Sequence, residues 1–199
     1  MKFYLKMAIL PFVYIFFSAM LGIGIILIDQ NLAFLQYVLC GINLAFYVLV
    51  VGIAGNKDGQ KSIKVRNQND QFRRVIIETG EDLPLNLQEE YKPWKGFVIG
   101  AVACIPSVVL IIIHVILNLT SPTPHYGFGV ASGVLSTVVF SFFMVSSAVK
   151  SWAYYLWALL IVPLVSCAYG GFYVLGANKA QKQYDKIAQI QRAIHGDKV

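Results

Sequence analysis

The sequence predicts an all-α protein: a polytopic transmembrane helix bundle with about five membrane segments. Three observations lead there. Five stretches of at least 22 residues, 7–28, 32–54, 97–119, 127–149 and 151–177, contain no Asp, Glu, Lys or Arg. About 20 apolar residues cross a hydrocarbon core of roughly 30 Å, and backbone groups in lipid must pair within their own segment, which makes each stretch a helix. Charged residues are only 13% of the chain and hydrophobic ones 57%, against about 25% and 45–50% in soluble domains. The long alternating strands of a membrane barrel are absent.

The first stretch follows Lys2 and Lys6. It is longer than the roughly 7–15 residues of a signal-peptide core, and Ser18-Ala19-Met20 is a poor cleavage site, so it reads as an uncleaved span. The turn at Asp29-Gln30-Asn31 has no basic residue, and a second span follows at 32–54. Residues 55–96 then carry eight basic and seven acidic residues. At 42 residues this segment is shorter than the roughly 50 of a small domain, and reads as a solvated connector or a docking patch. Asn86 with Glu89 resembles a capping pair that opens a short helix toward Tyr91, and the run from Arg73 to Ile77 reads as a strand or a surface helix. The third span, 97–119, is followed by the uncharged turn 120–126, then 127–149, which is rich in Gly and Ser, and 151–177.

Basic flanks orient the bundle. They place the N-terminus and the 55–96 connector in the cytoplasm, with both turns outside, and the expected location is the plasma membrane. Five crossings would then put the tail outside. Yet the tail carries Lys179, Lys182, Lys186, Arg192 and Lys198, and it lines up Ala180, Tyr184, Ile187, Ile190 or Gln191, and Ile194 on one face. Basic amphipathic helices favour the anionic cytoplasmic leaflet. Phe46-Tyr47-Val48-Leu49 and Phe172-Tyr173-Val174-Leu175, each followed by a basic exit, also suggest that spans two and five leave on the same side. The side of the tail stays open, and 127–149 becomes the segment that either spans or is re-entrant.

Within the spans, small and polar residues recur three and four apart, which places them on one helical face. Span one aligns Pro11, Tyr14, Ser18, Gly22, Ile25 and Asp29. Span two aligns Gln36, Cys40, Asn43 and Tyr47. Span three aligns Gly96, Gly100, Cys104, Ser107, Ile111, His114 and Asn118. The fourth aligns Gly129, Gly133, Ser136, Phe140 and Ser147, and the fifth Pro163, Ser166, Gly170 and Tyr173. Such stripes serve helix packing in lipid. They also permit an outward-facing polar pocket lined by Asp29, Gln36, Asn43, His114 and Asn118, with His125 at similar depth. In that pocket Asp29 and His114 would pair, because intramembrane polar groups are costly and often mark a site.

Cys40, Cys104 and Cys167 fall inside apolar runs without metal-ligand spacing, so no metal or other cofactor is expected. The net charge of +6 suits an anionic membrane surface, and no nucleic-acid-binding motif accompanies it. Asn118-Leu119-Thr120 matches a glycosylation acceptor but abuts the membrane. No Walker loop, kinase set, GxSxG or HExxH occurs, and no span holds paired carboxylates for acid–base chemistry, so an enzyme is not expected. A stand-alone transporter lacks intramembrane acids for a coupling ion. The expectation is a non-catalytic membrane subunit, solute-binding, anchoring or assembly, of a larger transport-type complex. A small-solute transporter or channel, or a membrane sensor, is the alternative. The expected partners are the lipid bilayer, a protein partner or second copy through small-residue faces, and a small-molecule ligand.

Overall fold

The computed structural model describes residues 2–26, 28, 32–120 and 159–195. Helices α1 (Lys2–Ile26), α2 (Ala33–Thr79), α3 (Pro93–Ala103), α4 (Ile105–Thr120) and α5 (Ile161–His195) make up nearly all of it, and no strand occurs among the described residues. Three helices, α1, α2 and α5, are long and apolar enough to cross a membrane, or four spans if the bent α3–α4 pair counts as one. The run 127–149 and the turn residues Asp29 and His125 lie outside the described residues.

The distribution of side chains is that of a protein solvated by lipid. Ile9 and Phe17 on α1, Phe34, Ile42 and Phe46 on α2, and Ile112 and Ile116 on α4 are exposed, whereas Ser18, Gln36, Asn43 and Ser107 are buried. Apolar side chains outside and polar ones inside is the arrangement expected where surrounding tails are as apolar as Leu. The stripes on α1, α2 and α3 face inward as the spacing predicts. On α5 the expected stripe is buried only in part, at Gly170 and Tyr173. Pro163 is exposed and Ser166 half-buried, and the core face is Ile161, Val165, Tyr169, Tyr173, Ala177 and Ala180. Bulky Ile161, Val165 and Tyr169 carry much of this face, so a search for small and polar residues finds only part of it.

Helix directions follow from the contacts. Ser18 meets Asn43, and Gln36 reaches the end of α1, so α1 and α2 are antiparallel. Gly55 lies against Tyr169, Gly59 against Tyr173, and Ile63 clusters with Ala177 and Ala180. The register rises together along both helices, so α2 and α5 are parallel. Gly96 lies against Tyr173, Gly100 against Ser166, and Cys104 against Ile161, so α3 runs antiparallel to α5. The start of α1, the far part of α2, the start of α3 and the far part of α5 therefore share one end of the bundle. Every Lys and Arg among the described residues, from Lys2 to Arg192, lies at that end.

Residues 73–77 are helical, and the connector begins much later than residue 55. α2 runs unbroken through 47 residues, about 70 Å at 1.5 Å per residue, more than twice the thickness of a hydrocarbon core. Its residues beyond 55 carry the charges and stand outside any bilayer that holds its first half. Gly80 ends the helix with φ 75°, and its N–H bonds to the Ile76 carbonyl at 2.9 Å; a left-handed residue here favours Gly, which has no Cβ to clash.

The third span is two helices, bent by 41°. Pro106 has no N–H for the Val102 carbonyl, and proline in a helix interior breaks the ladder. The Cys104 N–H instead closes a tight turn to the Ala101 carbonyl at 3.1 Å. α5 is one helix of 35 residues, about 52 Å long, and passes from the apolar stretch into the basic tail without a break.

Candidate functional site

Two regions bear on function: the polar stripes within the bundle, and the basic end where α2 and α5 project.

Within the bundle, Asn43 is fully engaged with Ser18. The Ser18 hydroxyl donates to Asn43 Oδ1 at 2.9 Å, and Asn43 Nδ2 donates to the Ser18 carbonyl at 3.0 Å. Gln36 Nε2 donates to the Ile28 carbonyl at 2.7 Å and the Ile25 carbonyl at 3.4 Å. It serves carbonyls that the end of a helix leaves without intrahelical donors. Gln36 and Asn43 thus share one side of α2 and fasten α1 to it. His114 and Asn118 sit on α4, past the bend, with side chains outside the described residues, as is Asp29. Deeper in, Tyr47 is buried, and its hydroxyl has no hydrogen-bond partner among the described residues. The Cys104 thiol donates to the Gly100 carbonyl at 3.4 Å and to the Ile161 carbonyl at 3.7 Å. Among the described residues, no group of three or more His, Cys, Asp or Glu could hold a metal ion.

At the basic end, the connector folds back on α2. Asn69, only 2% exposed, pairs with the connector backbone: its Nδ2 donates to the Asn86 carbonyl at 3.2 Å, and its Oδ1 accepts from the Asn86 N–H at 3.1 Å. Glu90 accepts from Asn69 and, at 3.0 Å, from Arg73, which also bonds Asp70 at 2.7 Å. Lys61 and Glu89 lie 3.5 Å apart. The expected cap forms, with Asn86 Oδ1 accepting from the Glu89 N–H at 3.2 Å, yet it opens a turn and not a helix. Pro93 starts α3 three residues after Glu90, and a helix is disfavoured at the residue preceding a proline.

The Lys95 side chain is buried under this turn and donates to the Gln88 and Glu90 carbonyls, with its ammonium 5.7 Å from the Phe3 ring centroid. Tyr4 stacks on Trp94, and Tyr91 stacks on Tyr173 at 5.5 Å between centroids. Burial raises the Tyr91 phenol above its ordinary range, opposed by the nearby Arg66 charge. The Tyr169 hydroxyl donates to Asp58, tying α5 to α2 where the charges of α2 begin. The result is a braced platform that holds α1, α2, α3 and α5 together at one end.

Beyond Ala180 this bracing stops for α5. Residues 182–194 are exposed, including Tyr184, Ile187, Ile190 and Ile194. The amphipathic face was legible in the tail sequence. Asn69, Lys95 and Asp58 were not singled out there, because each looks like one more polar residue in a solvated connector. The available signal was Gly52, Gly55 and Gly59, a small-residue face that continues from the apolar stretch into the charged one and implies a helix packed beyond residue 54.

Comparison with family models, curated proteins and solved structures finds no match to this chain.

Proposed function

We propose that this chain is a non-catalytic membrane subunit of the anchoring or assembly kind, whose basic end is cytoplasmic and docks a partner in a larger, transport-type complex. The observation that carries the reading is the rigid extension of α2 and α5 from one end of an apolar bundle, with an exposed apolar stripe on α5. About 37 Å of α2 beyond residue 54 and about 27 Å of α5 beyond residue 177 stand clear of the apolar stretches. A helix that only anchored itself would not need exposed Ile187, Ile190 and Ile194 outside the bilayer, since contiguous exposed apolar surface in water marks an interaction site.

The gathering of described Lys and Arg residues at one end supports a cytoplasmic assignment there by the positive-inside rule, in a plasma membrane. With α2 and α5 parallel, α1, α2, α3–α4 and α5 supply four crossings, and a fifth membrane segment would be 127–149. The solute-binding reading of Asp29, Gln36, Asn43, His114 and Asn118 is weakened as Gln36 and Asn43 make helix–helix bonds. A transporter or channel is the second reading, favoured by the span broken at Cys104, which shares a core cluster with Tyr47, because discontinuous helices with polar groups recur at transporter sites.

Extraction of the tagged full-length chain in a mild detergent tests the docking reading. The expected result is a stoichiometric assembly larger than the monomer that is lost in Ile187→Asp. A monomer of unchanged size in both forms, carrying a small molecule detectable by mass spectrometry, would replace this reading with the second one.

A further inference from the structure

We propose that Asp58, set into the seam between α2 and α5, is a proton-binding site, and that the bound proton keeps α5 seated on α2. The proposal goes beyond the docking reading and does not depend on it, since the proton acts within one chain.

The geometry of the seam carries it. Asp58 is the first carboxylate along α2 and is half-buried. Glycine stands on either side of it: a Cβ on Gly55 would overlap the Tyr169 carbonyl, and one on Gly59 the Tyr173 carbonyl. The two helix backbones therefore touch at the height of Asp58. Its hydrogen-bond partner there is the hydroxyl of Tyr169, a fully buried residue of the facing helix. Among the described residues, no Lys or Arg forms an ion pair with the Asp58 carboxylate.

The groups around the carboxylate do little to neutralise it. From α5, Tyr169 and Tyr173 face it, and both are phenols. From α2 itself, Lys61 acts on it, but that side chain is 62% exposed and lies 3.5 Å from Glu89. Lys57 on α2 and Lys6 on α1 point their charges to exposed positions. Burial disfavours the ionised form of an acid. It raises the Asp58 carboxyl above its ordinary range, opposed by the Tyr169 hydrogen bond and the Lys61 charge.

Proton binding and helix seating are then linked. When neutral, the carboxyl still accepts from Tyr169 through its carbonyl oxygen and brings no charge into the seam. When ionised, it draws water, and water gains room there as α5 withdraws from Gly55 and Gly59. A carboxyl raised in the folded state adds stability that is complete below its ordinary value of about 3.9 and is lost as pH rises through the raised value. The contact of α2 with α5 is thus firm in acid and loosens as the solution bathing this end approaches neutral pH. The part of α5 set free is the arm beyond Ala180, whose residues 182–194 are exposed.

The test uses the whole chain in a mild detergent, with Cys167→Ala and spin labels on Gln68→Cys and Lys182→Cys, one on each projecting arm. Between about pH 4 and about pH 8, the labelled parent is expected to give a narrow distance distribution in acid that broadens as pH rises. Asp58→Asn, which holds no titratable group, is expected to stay narrow across the range. Tyr169→Phe keeps the ring and removes the donor that favours the carboxylate, so its broadening is expected at higher pH than in the parent; this variant decides the matter if Asp58→Asn does not fold. A parent distribution that does not change with pH overturns the proposal. So does equal broadening in the parent and Asp58→Asn, or a Tyr169→Phe transition at the parent's pH or below it.

Discussion

Asn43 shows how a polar residue in a membrane span is used here. Its amide exchanges two hydrogen bonds with Ser18, and these hold α1 on α2 at a depth where apolar packing alone gives little orientation. Interhelical hydrogen bonds of this kind average about 0.6 kcal/mol, up to about 1.7, because the separated helices also find partners in the membrane. Replacing Ser18 by Ala or Asn43 by Ala is expected to lower stability by about 0.5–1.5 kcal/mol, and the double variant should lose little more than Asn43→Ala alone. Unfolding of the detergent-solubilised protein measures all three. Fully additive losses would mean that the two side chains act independently. The shared stripe of Gln36, Asn43 and Tyr47 was legible in the sequence, because period 3.6 alone puts them on one face. Their partners were not, since the pairing of Ser18 with Asn43 depends on where the chain turns between α1 and α2.

Among the elements, α5 owes its place to close backbone approach. A Cβ on Gly55 would overlap the Tyr169 carbonyl, one on Gly59 the Tyr173 carbonyl, and one on Gly176 the Asn56 carbonyl. Backbone cannot withdraw as a flexible side chain does, so Gly59→Leu must push α2 from α5 and is expected to destabilise by about 1–3 kcal/mol or more. Gly171→Ala is the control: nothing lies within 4 Å of a Cβ there, and alanine favours the helix by up to about 1 kcal/mol. A fall in Tm for the first and an unchanged or raised Tm for the second is the expected pair of results. Among the described residues, helical character was readable from the charge-free stretches. The bend at Pro106 and the continuation of α2 through residue 79 were less so. Charge density suggested a connector after residue 54, whereas packing of Gly55, Gly59 and Ile63 on α5 and of Asn69 on the connector keeps the chain helical.

At the scale of the whole molecule, parallel α2 and α5 remove a contradiction that the sequence contained. Counting five charge-free stretches as five crossings put the basic tail opposite the basic connector, against the retention of Lys and Arg on one side. In the fold, α1, α2, α3 and α5 bring Lys6, Lys57, Lys95 and Lys182 to a single end. Counting apolar runs cannot supply that result, because it depends on which helices are neighbours and in which direction they run. Helix α5 would leave at the opposite end if it were antiparallel to α2, and the contacts of Gly55 with Tyr169 and of Gly59 with Tyr173 would then have no common register.

The most direct measurement is the sidedness of two engineered cysteines, Gln68→Cys on the projecting part of α2 and Lys182→Cys on that of α5. Each is made with Cys167→Ala and exposed to a membrane-impermeant maleimide in intact and in lysed cells. Both sites are exposed in the fold, so with the basic end in the cytoplasm both stay unlabelled in intact cells and both label after lysis. Labelling of one site in intact cells and of the other only after lysis would contradict it, for α2 and α5 would then leave the membrane on opposite sides.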